Sequence, residues 1–176
     1  MSNELLVIID PQTDFINKEG SYAKRHPGIN QILNAKDKIN KLVATGGKTN
    51  LVIIFSNYKE NQFEDGLAIC IPGTNGHKID IDIDGTYTYI SKTNHSCFSS
   101  EEFEQYLKTK NIDRLILCGF LAEYCVKQTA IDALEKGYST SLLKDCIGTG
   151  DDVQHRKEQM LFELIGKGAK IIDSNL

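Results

Sequence analysis

Three short runs of unbroken apolar residues constrain this chain more than any other feature. They are Leu5-Leu-Val-Ile-Ile9, Leu51-Val-Ile-Ile-Phe55 and Leu115-Ile-Leu-Cys118. Each is too continuous for a strand with one wet face, so each reads as a strand buried on both faces. Helical patterns lie between and after them. Asn30 is placed to cap a helix with Ile32, Ala35, Ile39 and Leu42 on one face, and Gly46-Gly47 is its expected stop. Ser99 with Glu102 forms a capping-box pattern ahead of a helix running to about Lys108. Val126, Ala130, Ala133 and Leu134 share a helical face before a stop at Gly137. Asp151 with Gln154 opens a last helix carrying Met160, Leu161 and Leu164, which ends at Gly166 and Gly168. Further strands are expected at Tyr87–Ile90, Ser139–Leu143 and Ala169–Ile172.

Strands alternating with helices imply crossover units. The expected fold is a single α/β domain over residues 1–176. It is a three-layer, doubly wound, mostly parallel sheet of about six strands with helices on both faces. With 176 residues and 40% hydrophobic composition, the chain can build one real core. Residues 56–86 are polar and lack a strong period. That is long for a passive connection, so a functional loop or cover is expected there.

The bulk numbers exclude several classes of partner. The net charge is −4 and no basic stripe is visible, which argues against nucleic acid. No apolar run reaches the roughly 20 residues that a membrane span requires. Five widely spaced cysteines, with no close pair, read as free thiols in a reduced, cytoplasmic protein rather than as a disulfide or zinc framework.

In a doubly wound sheet, ligands bind beyond the carboxyl ends of the strands. Asp10 ends the first strand, Lys92 is expected just past the third, and Cys125 lies a short turn beyond the fourth. All three belong on one edge. At the start of a helix, unpaired N–H groups and the positive dipole end favour a thiolate. A nearby ammonium lowers a thiol pKa, and a carboxylate can carry its proton. These readings give a nucleophile with two helpers.

The local sequences around these three residues resemble the isochorismatase-like cysteine hydrolases, the superfamily that also contains nicotinamidases. The resemblance spans Leu5 to Asp173. It rests on Leu5-Leu-Val-Ile-Ile-Asp-Pro-Gln-Thr-Asp-Phe15, on Lys92-Thr-Asn-His-Ser-Cys-Phe98, and on Gly119-Phe-Leu-Ala-Glu-Tyr-Cys125-Val, with Pro72-Gly73-Thr74 and Gly76 as a further recurrent loop. It implies Asp10, Lys92 and Cys125 as the catalytic set. It also implies a non-proline cis peptide, expected between Leu121 and Ala122, and an oxyanion hole made by the N–H groups of Ala122 and Cys125. Phe15, Asn57, Leu121 and Tyr124 are the implied substrate contacts. The implied reaction is acyl transfer from a small amide or related C–N bond through a thioester.

The chain departs from nicotinamidases at their metal site. Where those carry Asp-Trp-His after the second strand, this chain has Asn57-Tyr58-Lys59, and Ile69 precedes Cys70 where a later histidine ligand is usual. An aromatic wall residue is missing near Gly66. His77 alone reads as a surface residue, as do Glu60, Glu64 and Asp65, and His155 reads as structural or surface. No metal and no cofactor are therefore expected. The expected partners are a small-molecule substrate and further copies of the chain in a homo-oligomer. Two alternatives stay open: a nicotinamidase with an altered metal site, and a non-catalytic binding or assembly protein on the same fold.

Overall fold

A computed structural model describes residues 3–45, 50–83 and 85–175. Its elements follow the expected alternation: β1 (Glu4–Ile9), α1 (Thr13–Ile16), α2 (Asn30–Thr45), β2 (Leu51–Ser56), β3 (Thr88–Lys92), α3 (Glu101–Thr109), β4 (Arg114–Phe120), α4 (Lys127–Glu135), β5 (Ser139–Gly148), α5 (Gln154–Gly166) and β6 (Lys170–Ile172). The six strands form one sheet in the order β3-β2-β1-β4-β5-β6. Every pairing is parallel. Right-handed crossovers in this order place helices on both faces and reverse direction between β1 and β4. Among the described residues, no helix is long and apolar enough to cross a membrane.

The three apolar runs form the middle of the sheet. Leu5, Val7, Ile8, Ile9, Val52, Ile53, Ile54, Leu115, Leu117 and Cys118 are fully buried, as a strand covered on both faces requires. Gly119 lets β4 lie against β1. Its φ is +115°, and a Cβ there would meet the Ile9 carbonyl oxygen at 2.1 Å, so only glycine fits.

Several sequence expectations are corrected by the structure. The helix over 30–45 is capped from far away: the Asp151 carboxylate accepts from the N–H groups of Asn30 and Gln31 at 2.9 and 2.8 Å. A charged acceptor at a helix N-terminus outdoes the Asn30 side chain. Val43, not Leu42, completes that helix's buried face, and the expected stop at Gly46-Gly47 lies outside the described residues. The cap of α3 is Ser100, whose Oγ accepts from Phe103 N–H. Ser99 Oγ is occupied instead by the Ser96 carbonyl and the Asn94 N–H. The fifth strand runs on to Gly148 rather than stopping at Leu143. The two polar residues that interrupt its apolar pattern find partners: Lys144 pairs with Asp173, and Asp145 pairs with Lys38 and Ser174. Lys92 is the last residue of β3 rather than lying past it. The residues before α2, expected to be plain loop, include the short helix α1 and a single turn at Ala23–Arg25.

Candidate active site

At the carboxyl edge of the sheet, three adjacent strands converge on one buried charge pair. Lys92, from β3, is register partner to Ser56 of β2. Its side chain reaches past Ser56 to Asp10, which follows β1. Lys92 Nζ lies 2.9 Å from Asp10 Oδ2, and both side chains are fully buried. The ammonium also donates to Ser56 Oγ at 2.8 Å, Tyr58 OH at 3.0 Å and the Asn94 carbonyl at 2.8 Å. Ser56 Oγ in turn donates to Asp10 Oδ1 at 2.9 Å. Buried charges need this degree of compensation. Asp10 Oδ2 has the ammonium beside it but no directed hydrogen bond, so it retains a lone pair for another proton.

The strand ends are held in place by polar side chains of the opening motif. Gln12, fully buried, acts as a strand extension: its Oε1 accepts from Ser56 N–H at 2.7 Å and its Nε2 donates to the Ser56 carbonyl at 3.0 Å. Asp14 accepts from the N–H groups of Ser21 and Cys70 at 3.0 and 2.7 Å, tying two loops to α1. Gly76 packs against that carboxylate so closely that a Cβ would sit 2.2 Å from it. Asp10 itself has φ of +51°, a conformation rare outside glycine and often found at functional positions.

Cys125 completes the group. Beyond β4 the chain makes a wide turn over Ala122–Val126, in which the Leu121 carbonyl accepts from Tyr124 and from Val126, five residues ahead. The non-proline cis peptide lies between Phe120 and Leu121, one bond earlier than expected. Cys125 Sγ is 3.5 Å from Lys92 Nζ, 3.4 Å from Tyr58 OH and 3.8 Å from His95 Nδ1. Burial pushes the Cys125 thiol up to about 12. Lys92 pulls it down, and Asp10 opposes Lys92. Burial works against the Lys92 ammonium as well, yet Asp10 and Cys125 hold its pKa well above that of a free lysine. Burial thus favours the protonated sulfur, against the pull of Lys92.

A cavity of about 500 Å³ opens onto the sulfur, a size typical of small-molecule sites. Of the implied substrate contacts, Phe15, Leu121 and Tyr124 line it. Asn57 does not: its Oδ1 accepts from His77 Nε2 at 2.6 Å. His77 is thus a half-buried latch on Asn57 rather than a free surface residue, and burial lowers its pKa. The missing aromatic near Gly66 is supplied by Phe63, which stacks on His95 at 4.4 Å, while His95 stacks on Tyr124 at 5.6 Å. Burial and Lys92 lower the His95 pKa, which favours a neutral ring. At the mouth, Arg25 pairs with Glu64 at 3.1 Å and His26 with Asp152 at 2.8 Å. His155, Glu60 and Asp65 are exposed, as read from the sequence. Tyr58, Phe63 and His95 escaped sequence reasoning. The one available hint was their adjacency to strand ends and to the lysine motif.

The isochorismatase domain model matches residues 4–175. The chain belongs to the isochorismatase family. It is accordingly a hydrolase of that family. Over 163 residues it is 25% identical to an isochorismatase family protein, PncA, of Bacillus subtilis, covering 85% of this chain and 88% of that one. A maleamate amidohydrolase of Pseudomonas putida is 25% identical over 83 residues, 47% of this chain and 38% of the relative. Among solved structures, the pyrazinamidase of Pyrococcus horikoshii in complex with zinc superposes with a TM-score of 0.84 at 24% identity, over 97% of this chain and 99% of that one.

The residues present do not fit a zinc site of that kind. Zinc needs about four N, O or S ligands. Asn57 offers a neutral amide oxygen already held by His77, Lys59 is exposed, and Ile69 is aliphatic. Among the described residues, no three His, Cys, Asp or Glu side chains are grouped to hold an ion.

Proposed function

We propose that the protein is a metal-independent cysteine hydrolase that cleaves a small amide or related C–N bond through a thioester on Cys125. The observation that carries this reading is the cluster of Cys125 Sγ, Lys92 Nζ and Asp10, with 3.5 and 2.9 Å between successive members, at the inner end of the cavity. Asp10 Oδ2 takes the Cys125 proton as the sulfur attacks the carbonyl carbon, and Lys92 balances the charge that forms. The carbonyl π pair moves to oxygen, where the N–H groups of Ala122 and Cys125 receive it. The intermediate collapses, Asp10 returns the proton to the leaving amine, and the thioester remains. Water, deprotonated by Asp10, then releases the acid and restores the thiol. The three groups act as one coupled unit.

The aromatic wall of Phe63, His95 and Tyr124, with Phe15, favours a flat amide. That feature also supports a second reading, a nicotinamidase with an altered ring-binding site. A panel containing nicotinamide, pyrazinamide, maleamate and aliphatic amides, assayed for ammonia release with and without chelator, tests both. We expect chelator-resistant turnover of at least one amide, abolished in Cys125→Ala, and slow or no turnover of nicotinamide. One equivalent of bound metal with chelator-sensitive nicotinamide hydrolysis would establish the second reading instead. Failure of the whole panel, together with no covalent capture of an aldehyde analogue by Cys125, would leave a binding protein.

A further inference from the structure

We propose that the Tyr58 hydroxyl is a further catalytic group, one that donates a hydrogen bond to the Cys125 sulfur whenever that sulfur carries negative charge. The proposal rests on Cys125 being the nucleophile. It starts from the hydrogen-bond inventory of one oxygen. Tyr58 OH accepts from Lys92 Nζ at 3.0 Å. An ammonium has donors only, so the phenolic proton must point elsewhere. Two acceptors are at equal distance: the Asn94 carbonyl at 3.4 Å and Cys125 Sγ at 3.4 Å.

The state of the sulfur decides between them. A thiol is a weak acceptor, so while the sulfur is protonated the phenolic proton goes to Asn94. A thiolate accepts a charge-assisted hydrogen bond, so rotation of one C–O bond moves the proton to sulfur. Leaving Asn94 costs little, because its carbonyl keeps the 2.8 Å bond from Lys92. The sulfur is anionic twice in the proposed cycle: on attack, and on expulsion from the tetrahedral adduct of thioester and water. Tyr58 serves both moments without transferring its proton.

The surroundings suit a fixed donor. Tyr58 is 3% exposed, with its ring edge-on to Phe63 at 4.8 Å and its N–H bonded to the Cys70 carbonyl. Burial, reinforced by the charges of Cys125 and Asp10, raises its pKa far above that of free tyrosine, so the phenol keeps its proton. The other titratable groups at the sulfur are Asp10, Lys92 and His95. Lys92 donates to the sulfur at 3.5 Å and His95 Nδ1 lies 3.8 Å from it; the Tyr58 hydroxyl, at 3.4 Å, is the nearest of the three and can turn between two acceptors.

The test reads the thiol directly and needs no substrate. Iodoacetamide labelling of Cys125 is followed by peptide mass spectrometry at fixed pH values from neutral to mildly alkaline. Tyr58→Phe removes one oxygen and keeps the ring. A hydrogen bond to a charged group is worth about one pKa unit or slightly more, so labelling should slow about tenfold. Site-specific 3-fluorotyrosine at position 58 strengthens the donor, and labelling should quicken. Melting curves check both folds, and if Tyr58→Phe does not fold, the fluorinated chain carries the test alone. Labelling of Tyr58→Phe at the parent rate, or a 3-fluorotyrosine chain that labels no faster than the parent, overturns the proposal. Lys92→Met separates this from the wider reading. If it slows labelling while Tyr58→Phe does not, only the role of Tyr58 falls. If it leaves labelling unchanged, the activated Cys125 falls with it.

Discussion

Replacing Asp10 with asparagine should make Cys125 more reactive and the enzyme less active. Asparagine keeps the shape, and Ser56 Oγ can still donate to its Oδ1, as it does to Asp10 at 2.9 Å. What disappears is one negative charge 2.9 Å from Lys92 Nζ. The Lys92 ammonium is 3.5 Å from Cys125 Sγ. At an effective dielectric near 20, that attraction for a thiolate is about 5 kcal/mol. In the native protein Asp10 opposes it, and burial leaves the thiol at about 12. Restoring even a third of the attraction lowers the thiol by about one pKa unit, or tenfold more thiolate at neutral pH. Removing one partner of a buried ion pair costs about 3–5 kcal/mol. Formation of the thiolate returns part of that, since sulfur becomes the new counter-ion. Turnover should nevertheless fall by about 10²–10⁴, the usual contribution of a positioned proton carrier. The assay pairs iodoacetamide labelling of Cys125 with amide turnover in Asp10→Asn. Labelling that slows together with turnover would refute the reasoning. It would mean that Asp10 withdraws the thiol proton in the resting protein and that the Lys92–Asp10 pair does not hold the sulfur neutral.

Other outcomes follow from the same geometry. Lys92→Met should lower turnover by about 10²–10³, as loss of a single electrostatic group at a reacting centre does; steady-state kinetics on any amide that is turned over checks this, and unchanged turnover would remove Lys92 from the site. Asp145 stands at about 2: burial would raise it, but hydrogen bonds from Lys38 and Ser174 outweigh burial. A lowered carboxyl pKa contributes stability above the unfolded value of 3.8 that is lost as pH falls toward about 2. Asp145→Asn should therefore cost about 1–2 kcal/mol in urea denaturation at neutral pH, discounted for partial exposure of the pair, and the gap should close in that acid window.

The core strands were legible because burial on both faces leaves a plain signature, a continuous apolar run. Asp10, Lys92 and Cys125 were legible because strand ends in this topology share an edge, and because their motifs resemble a known family. What escaped the sequence was contact between distant segments. Asp151 caps a helix more than a hundred residues away, and no local pattern around Asn30 reports that. Ser99 and Ser100 both match a cap, and only the turn over Cys97–Ser99 decides between them. The second half of β5 was hidden by Lys144 and Asp145, whose charges are satisfied by partners outside the strand. Asn57 was read as a substrate contact from its position alone, while the side chain turns to His77. The pairing of Lys92 with Asp10 at 2.9 Å, which competes with the pull of Lys92 on Cys125, is likewise visible only in space.

The segment after β2 shows how one short stretch can redirect a site. The resemblance to nicotinamidases implies metal ligands at the first and third residues of this segment. Here Asn57 turns to His77, Lys59 points to solvent, and the middle residue, Tyr58, presses its hydroxyl against the sulfur and the ammonium at once. On the proposed reading, a hydroxyl at the inner end acts on the nucleophile itself, with no demand on what the substrate carries at its far side. The far side of this cavity is instead built from rings and paired charges, Phe63 and His95 on the wall and Arg25 with Glu64 at the rim. On the proposed reading, substrate selection would depend on flatness and fit rather than on ligation, while the charge balance among Asp10, Lys92, Tyr58 and Cys125 would set the chemistry. The two can be varied separately: changes at Phe63 should move KM between amides, and changes at Tyr58 should move kcat for all of them alike.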